Sequence, residues 1–125
     1  MRVLFIGEQP ETVNFSDPAL PPGLTAEQIH AGLARAMSDM AARGWQAELC
    51  LVRPDESAAV TVREKLAAVA YDCVAIGGGI RLPASRLGLF EGLINVVHKG
   101  APGAAIAFNT SPESTADAVA RVVGG

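Results

Sequence analysis

With 125 residues the chain has the length of one domain, and half of those residues are apolar. Ten Lys/Arg against 13 Asp/Glu give a net charge of -3 without any basic cluster, which argues against a nucleic-acid partner. No apolar run approaches the roughly 18 residues of a membrane span, so no membrane role is expected.

The N-terminus enters a strand-like run at once, which leaves no signal-peptide pattern. Cys50 and Cys73 both lie in apolar runs, with no His or second Cys at ligand spacing, and read as small reduced core residues. A cytoplasmic location is the corresponding expectation.

The first element is the apolar run Val-Leu-Phe-Ile within residues 2–6, closed by Gly7. It is continuous rather than alternating, which predicts a strand covered on both faces. Residues 8–24 follow. Strand-to-helix loops usually take about 2–6 residues, and this one is far longer. Pro10, Pro18, Pro21 and Pro22 restrict it, so it reads as an ordered flap anchored by Val13, Phe15 and Leu20. Thr25 and Gln28 have the spacing of a capping box. Ile29, Leu33, Met37 and Met40 then recur at helical spacing, and Gly44 closes that helix. Residues 47–52 form a second strand, with Glu48 marking an edge position. After a turn at residues 53–56, Asp55 or Ser57 caps a second helix carrying Val62, Leu66 and Val69.

A third apolar strand, Cys73 to Ile76, stops at Gly77-Gly78-Gly79. A third helix over about residues 84–98 buries Leu87, Phe90, Leu93, Ile94 and Val97, and Gly100 ends it. Residues 104–108 make a fourth strand. Asn109-Thr110 turns the chain, Ser111 caps, and Pro112 takes the first position of a last helix whose Ala116, Val119, Ala120 and Val123 face inward.

Strand and helix alternate four times. That order predicts a single three-layer α/β domain, Rossmann-like or flavodoxin-like, with a four-stranded parallel sheet in the order 2-1-3-4 and helices on both faces. In such sheets ligands bind beyond the carboxyl ends of the strands, where the strand order reverses. Here that crevice lies between strands one and three. Gly7, Glu8 and Gln9 would line one side, and Gly77, Gly78, Gly79, Ile80 and Arg81 the other. Asn14 and Asp17 from the flap, and Asn109 and Thr110 from strand four, complete the candidate ligand-binding set. Glycines let backbone approach a ligand closely, and free N–H groups with Arg81 would favour an anion. The alternative role for the glycines is close packing of strand on helix.

Familiar motifs are missing. The loop after strand one lacks G-x-G-x-x-G, and Gly77-Gly78-Gly79-Ile80-Arg81-Leu82 has leucine where the third glycine belongs. There is no P-loop. Strand three ends in Gly77 where receiver domains carry an aspartate, and the Ser/Thr/Gly-rich phosphate loop of flavodoxins is absent. The chain resembles these proteins in architecture without carrying a family motif, and no cofactor is implied.

Glu8, at the end of the first strand, is the first candidate for acid–base catalysis; a solvated role or a pairing with Arg81 is its alternative. His30, beside the flap, is the second candidate. Asp17 in Ser-Asp-Pro has the context of an Asx turn, and Asn14 that of a turn cap. His98 sits at the far end of its helix. No serine has a base and orienting acid beside it, and no residue spacing suggests a metal site. These residues point to a cofactor-independent isomerase, lyase or hydrolase acting on a polar or anionic metabolite. The alternatives are a non-catalytic module binding a metabolite or nucleotide, and an interaction subunit that forms a homodimer through the uncharged strand 104–108.

Overall fold

Four strands, Arg2–Glu8 (β1), Gln46–Val52 (β2), Cys73–Ile76 (β3) and Ala105–Phe108 (β4), lie parallel in the order β2-β1-β3-β4. This computed structural model describes residues 1–124. β1 is central: Ile6 pairs with Cys50 on one side and with Ile76 on the other. β4 extends the sheet beyond β3, with Phe108 opposite Ile76. The predicted strand order and the helices on both faces are both present.

Alternate residues of the strands supply two separate cores. Leu4, Ile6, Val74 and Ile76 face helices Ser57–Ala68 (α2) and Leu87–Gly100 (α4), packing with Val62, Leu93 and Val97. Val3, Phe5, Ala75 and Ala107 face Ala26–Ala42 (α1) and Thr115–Val123 (α5), packing with Leu33, Met40 and Val119. Each large side chain buried this way contributes about 1.5–3 kcal/mol. Cys50 belongs to the first core and Cys73 to the second, so the sheet separates the two thiols. Burial pushes the Cys50 thiol up and the Cys73 thiol up to about 11, which keeps both protonated.

Local chemistry sets the helix ends. Thr25 Oγ1 accepts from the Gln28 N–H at 3.2 Å while Gln28 Oε1 accepts from the Thr25 N–H at 3.0 Å, the capping box anticipated for α1. Gly44, at φ 81°, takes the left-handed conformation that ends the turn after α1. The Asp55 carboxylate accepts from the Ser57 N–H at 2.9 Å and starts α2. That helix stops at Ala68, so Val69 is extended, though it still packs against the core. At the exposed edge of β4, Arg121 of α5 donates to the Phe108 carbonyl at 3.0 Å.

The glycine segment departs from the predicted turn. Gly77 caps a short helix, Gly78–Arg81 (α3), and Pro83 then turns extended with ψ 129°. Proline offers no N–H to continue the ladder. The helix expected from residue 84 therefore opens as a 3₁₀ turn at Ala84–Arg86, with α4 beginning at Leu87, and α3 is a separate helical turn ahead of it.

The three glycines have different surroundings. A Cβ on Gly77 would lie 3.4 Å from the Ile6 carbonyl oxygen, against the backbone of β1. One on Gly78 would lie 3.2 Å from Leu82 and 3.4 Å from the carbonyls of both Asn109 and Thr110. One on Gly79 would meet nothing within 4 Å. Close packing therefore accounts for Gly77 and Gly78 and leaves Gly79 without that explanation. Urea unfolding should find Gly78→Val less stable by about 1–3 kcal/mol through overpacking. Gly79→Ala should be neutral or should gain about 0.4–1 kcal/mol from the stiffer unfolded chain.

Candidate functional site

The carboxyl ends of β1 and β3 open into a cleft of about 880 Å³. Phe5, Glu8 and the three glycines form its floor. α1 makes one wall through Ile29, Gly32 and Leu33, and residues 109–113 make the other. Val13, Leu20, Pro21 and Leu24 of the flap cover it. The flap is a chain of tight turns. Asp17 N–H donates to the Asn14 carbonyl, Leu20 N–H to that of Asp17, and Leu24 N–H to that of Pro21. Val13 and Leu20 anchor the flap toward the cleft, but Phe15 does not, since its side chain is exposed.

Glu8 is the buried charge of this region, with its side chain 3% exposed. Its partner is Arg86 rather than Arg81. Arg86 Nε donates to Glu8 Oε1 at 2.6 Å and Nη2 to Oε2 at 3.2 Å, a two-pronged pair. Arg86 Nη2 also reaches the Thr12 carbonyl at 3.3 Å, and the Thr12 hydroxyl donates to Glu8 Oε2 at 3.2 Å. Glu8 in turn pushes the Arg86 guanidinium further toward its charged form, chiefly through these hydrogen bonds. The cluster ties the start of the flap to the segment that the Pro83 break brings alongside β1.

Asn109 is likewise buried and uses both ends of its amide. Oδ1 accepts from the Gly78 N–H at 2.7 Å, and Nδ2 donates to Thr115 Oγ1 at 2.8 Å. It holds the glycine segment to the start of α5. The Gly77 N–H goes to the Ile6 carbonyl. Of the three glycine N–H groups, only that of Gly79 lacks a partner among the described residues.

The remaining candidates divide by position. Thr110 lines the cleft with an exposed side chain, near Ser114. Ile80 is wholly buried in the core, so its side chain is not at the cleft surface. Arg81 points toward the sheet edge: Nη2 donates to the Asn109 carbonyl at 3.1 Å, and the guanidinium carbon lies 5.9 Å from the Phe108 ring centre. His30 turns away from the cleft to Glu11, 2.7 Å away, with side chains 50% and 56% exposed. Gln9 also donates to Glu11, at 3.3 Å. Asn14 and Asp17 accept from the Ser16 and Ala19 N–H groups, forming Asx turns within the flap, and they border a small recess beside Arg86. Gly7 lies beneath, against Leu51 and Leu33.

Three residues of the site carry no local signal in the sequence. Arg86 reaches Glu8 across 78 positions. Gly32 gives α1 its close approach, because a Cβ there would stand 3.1 Å from Pro112 and 2.7 Å from Glu113 Oε1. Glu113 joins the cleft wall through that contact. Among the described residues, no three His, Cys, Asp or Glu side chains are grouped to hold a metal ion, and no helix is long and apolar enough to cross a membrane. The chain matches no protein-family model, and no curated protein is significantly similar to it.

Two outcomes follow from these ion pairs. Arg86→Met leaves Glu8 buried without its cation and should lower stability by about 3 kcal/mol in chemical unfolding. The Glu11 carboxyl is held below its ordinary value of 4.5, first by the hydrogen bond from His30. A depressed carboxyl stabilises the fold above its unfolded pKa, and the contribution disappears as pH falls through the folded one. In His30→Ala, NMR titration of Glu11 should show its pKa moving up toward 4.5.

Proposed function

We propose that the protein binds a small molecule in the cleft at the carboxyl ends of β1 and β3, beneath the flap. The observation that carries this reading is the cleft itself. At about 880 Å³ it lies toward the upper end of the roughly 300–1,000 Å³ usual for small-molecule sites. Its position is the one where open parallel sheets hold ligands. Gly79, the glycine that packing does not require, opens onto it.

Binding without turnover is the reading the side chains favour. Both oxygens of Glu8 already accept hydrogen bonds from Arg86, so the carboxylate serves as a fixed part of the floor. An acid–base enzyme is the second reading. It rests on Glu8 lining the cleft, where a ligand that displaces Arg86 would gain access to the carboxylate. His30 would have to leave Glu11 to take part.

A thermal-shift panel of metabolites against wild type and Gly79→Leu tests both. Gly79 borders the cleft, and leucine there does not strain the backbone, since no neighbour lies within 4 Å of its Cβ and φ is not positive. A ligand at 100 times its Kd adds about 2.7 kcal/mol, a shift of several degrees in wild type. The Gly79→Leu protein should fold and lose that shift. A shift retained in full would remove the cleft from consideration. Turnover of any hit that disappears in Glu8→Gln with binding retained would establish the second reading over the first.

A further inference from the structure

The charges around the cleft define the class of ligand it would take. Four charged side chains bear on it. Glu8 is neutralised by Arg86 from beneath the floor. Arg35, on the α1 wall, is tied to Asp39 at 3.0 Å and is largely exposed. Glu113, on the opposite wall, is exposed and has no salt bridge among the described residues. Its Oε1 lies against Gly32 of α1, across the end of the cleft. The free charge at this site is therefore negative, while the surface around it is mainly apolar.

The neutral polar groups do not reverse that sign. Asn109 has both ends of its amide engaged, and Gln28 Oε1 is held in the capping box. The Gly79 N–H and the Gln28 amide N–H₂ can meet a carbonyl or ether oxygen, but neither carries a full charge. Arg81 is directed to Asn109 and Phe108 and does not line the cleft. An anionic group in the cleft would leave water, approach Glu113 and find no unpaired cation there, all of which oppose binding.

We propose that the cleft takes an uncharged, largely apolar molecule bearing an N–H or O–H donor, and that Glu113 accepts this donor and discriminates against anions. This rests on the small-molecule reading above and names its ligand class. It replaces the anionic metabolite suggested by the glycines and Arg81 with a ligand whose body meets Leu20, Leu24, Ile29 and Leu33, and whose donor meets the carboxylate.

Two fluorescent probes with one skeleton separate the alternatives. N-phenyl-1-naphthylamine is neutral, apolar and carries one N–H; 8-anilinonaphthalene-1-sulfonate adds a sulfonate to the same framework. Both are titrated into wild type, Glu113→Gln and Gly79→Leu. Wild type should bind the neutral probe more tightly than the sulfonate by about fivefold, the scale of a like-charge repulsion at a solvent-exposed carboxylate. Glu113→Gln should narrow that ratio by strengthening sulfonate binding. Salt should narrow it in wild type without any substitution, through screening. Gly79→Leu should weaken both probes.

A sulfonate that binds as tightly as the neutral probe would overturn the ligand class. So would a ratio unmoved by both Glu113→Gln and salt. In either case, continued blocking by Gly79→Leu would leave the cleft standing as a small-molecule site. Absence of binding by both probes, or binding that Gly79→Leu does not weaken, would overturn the cleft reading itself and this inference with it.

Discussion

A parallel sheet buried on both faces confines the chemistry of this protein to the ends of its strands. Each residue of β3 is buried, and β1 is buried from Val3 onward. Side chains on the faces are committed to two apolar cores, so a polar group there would lose its hydration with nothing to replace it. Only where the strands stop can the chain present N–H groups, carboxylates and amides to a ligand. β1 and β3 stop side by side because β2 and β4 lie outside them, and the helices that follow depart to opposite faces. The cleft is the space left between those departures.

Two buried polar side chains shape that space. Asn109 joins the Gly78 N–H to the Thr115 hydroxyl, so the ends of β3 and β4 and the start of α5 are tied together. Glu8 joins the end of β1 to Arg86 and, through Thr12, to the start of the flap. Each of their polar atoms has a hydrogen-bond partner, which is what allows polar groups to remain buried at little cost. That partnering also limits what they can do for a ligand. An amide with both ends bonded and a carboxylate gripped by a guanidinium hold the site in shape more readily than they react. The groups left for recognition stand on the walls and at Gly79.

Much of this architecture was legible because it depends on local signals. Continuous apolar runs marked the strands, Thr25 and Gln28 marked the start of α1, Gly44 marked its exit, and alternation of elements determined the strand order. The position of the crevice followed from topology alone. What was not legible depends on distant contacts. Arg81 and Arg86 both follow closely on a glycine run, and the sequence around them does not say which one meets Glu8. The break at Pro83 does so in space, turning Arg86 to Glu8 while Arg81 stays beside Phe108. The triple glycine was similarly ambiguous. Its first two members are small because β1, Leu82 and the carbonyls after β4 crowd them, and only the third opens to the cleft. Glu113 carried no signal at all, because its place in the cleft depends on the close approach of Gly32 from a helix far away in sequence.

The flap beyond residue 12 is held in shape by hydrogen bonds of its own. Its hydrogen bonds between residues 13 and 24 join positions two or three apart: Ser16 to Asn14, Asp17 to Asn14, Ala19 to Asp17, Leu20 to Asp17 and Leu24 to Pro21. None of these reaches the sheet, so none is lost when the segment moves as a body. Four prolines within residues 10–22 reduce the disorder gained on opening. Firm attachment is concentrated before Val13, where Gln9 N–H donates to Val52 and Arg86 holds Glu8 and the Thr12 carbonyl. Displacement beyond that point sacrifices chiefly the apolar contacts of Val13, Leu20, Pro21 and Leu24 over the cleft. A bound apolar molecule would restore those contacts. Few hydrogen bonds join residues 13–24 to the rest of the fold, so apolar contacts with a ligand would be the main addition to what holds them in place.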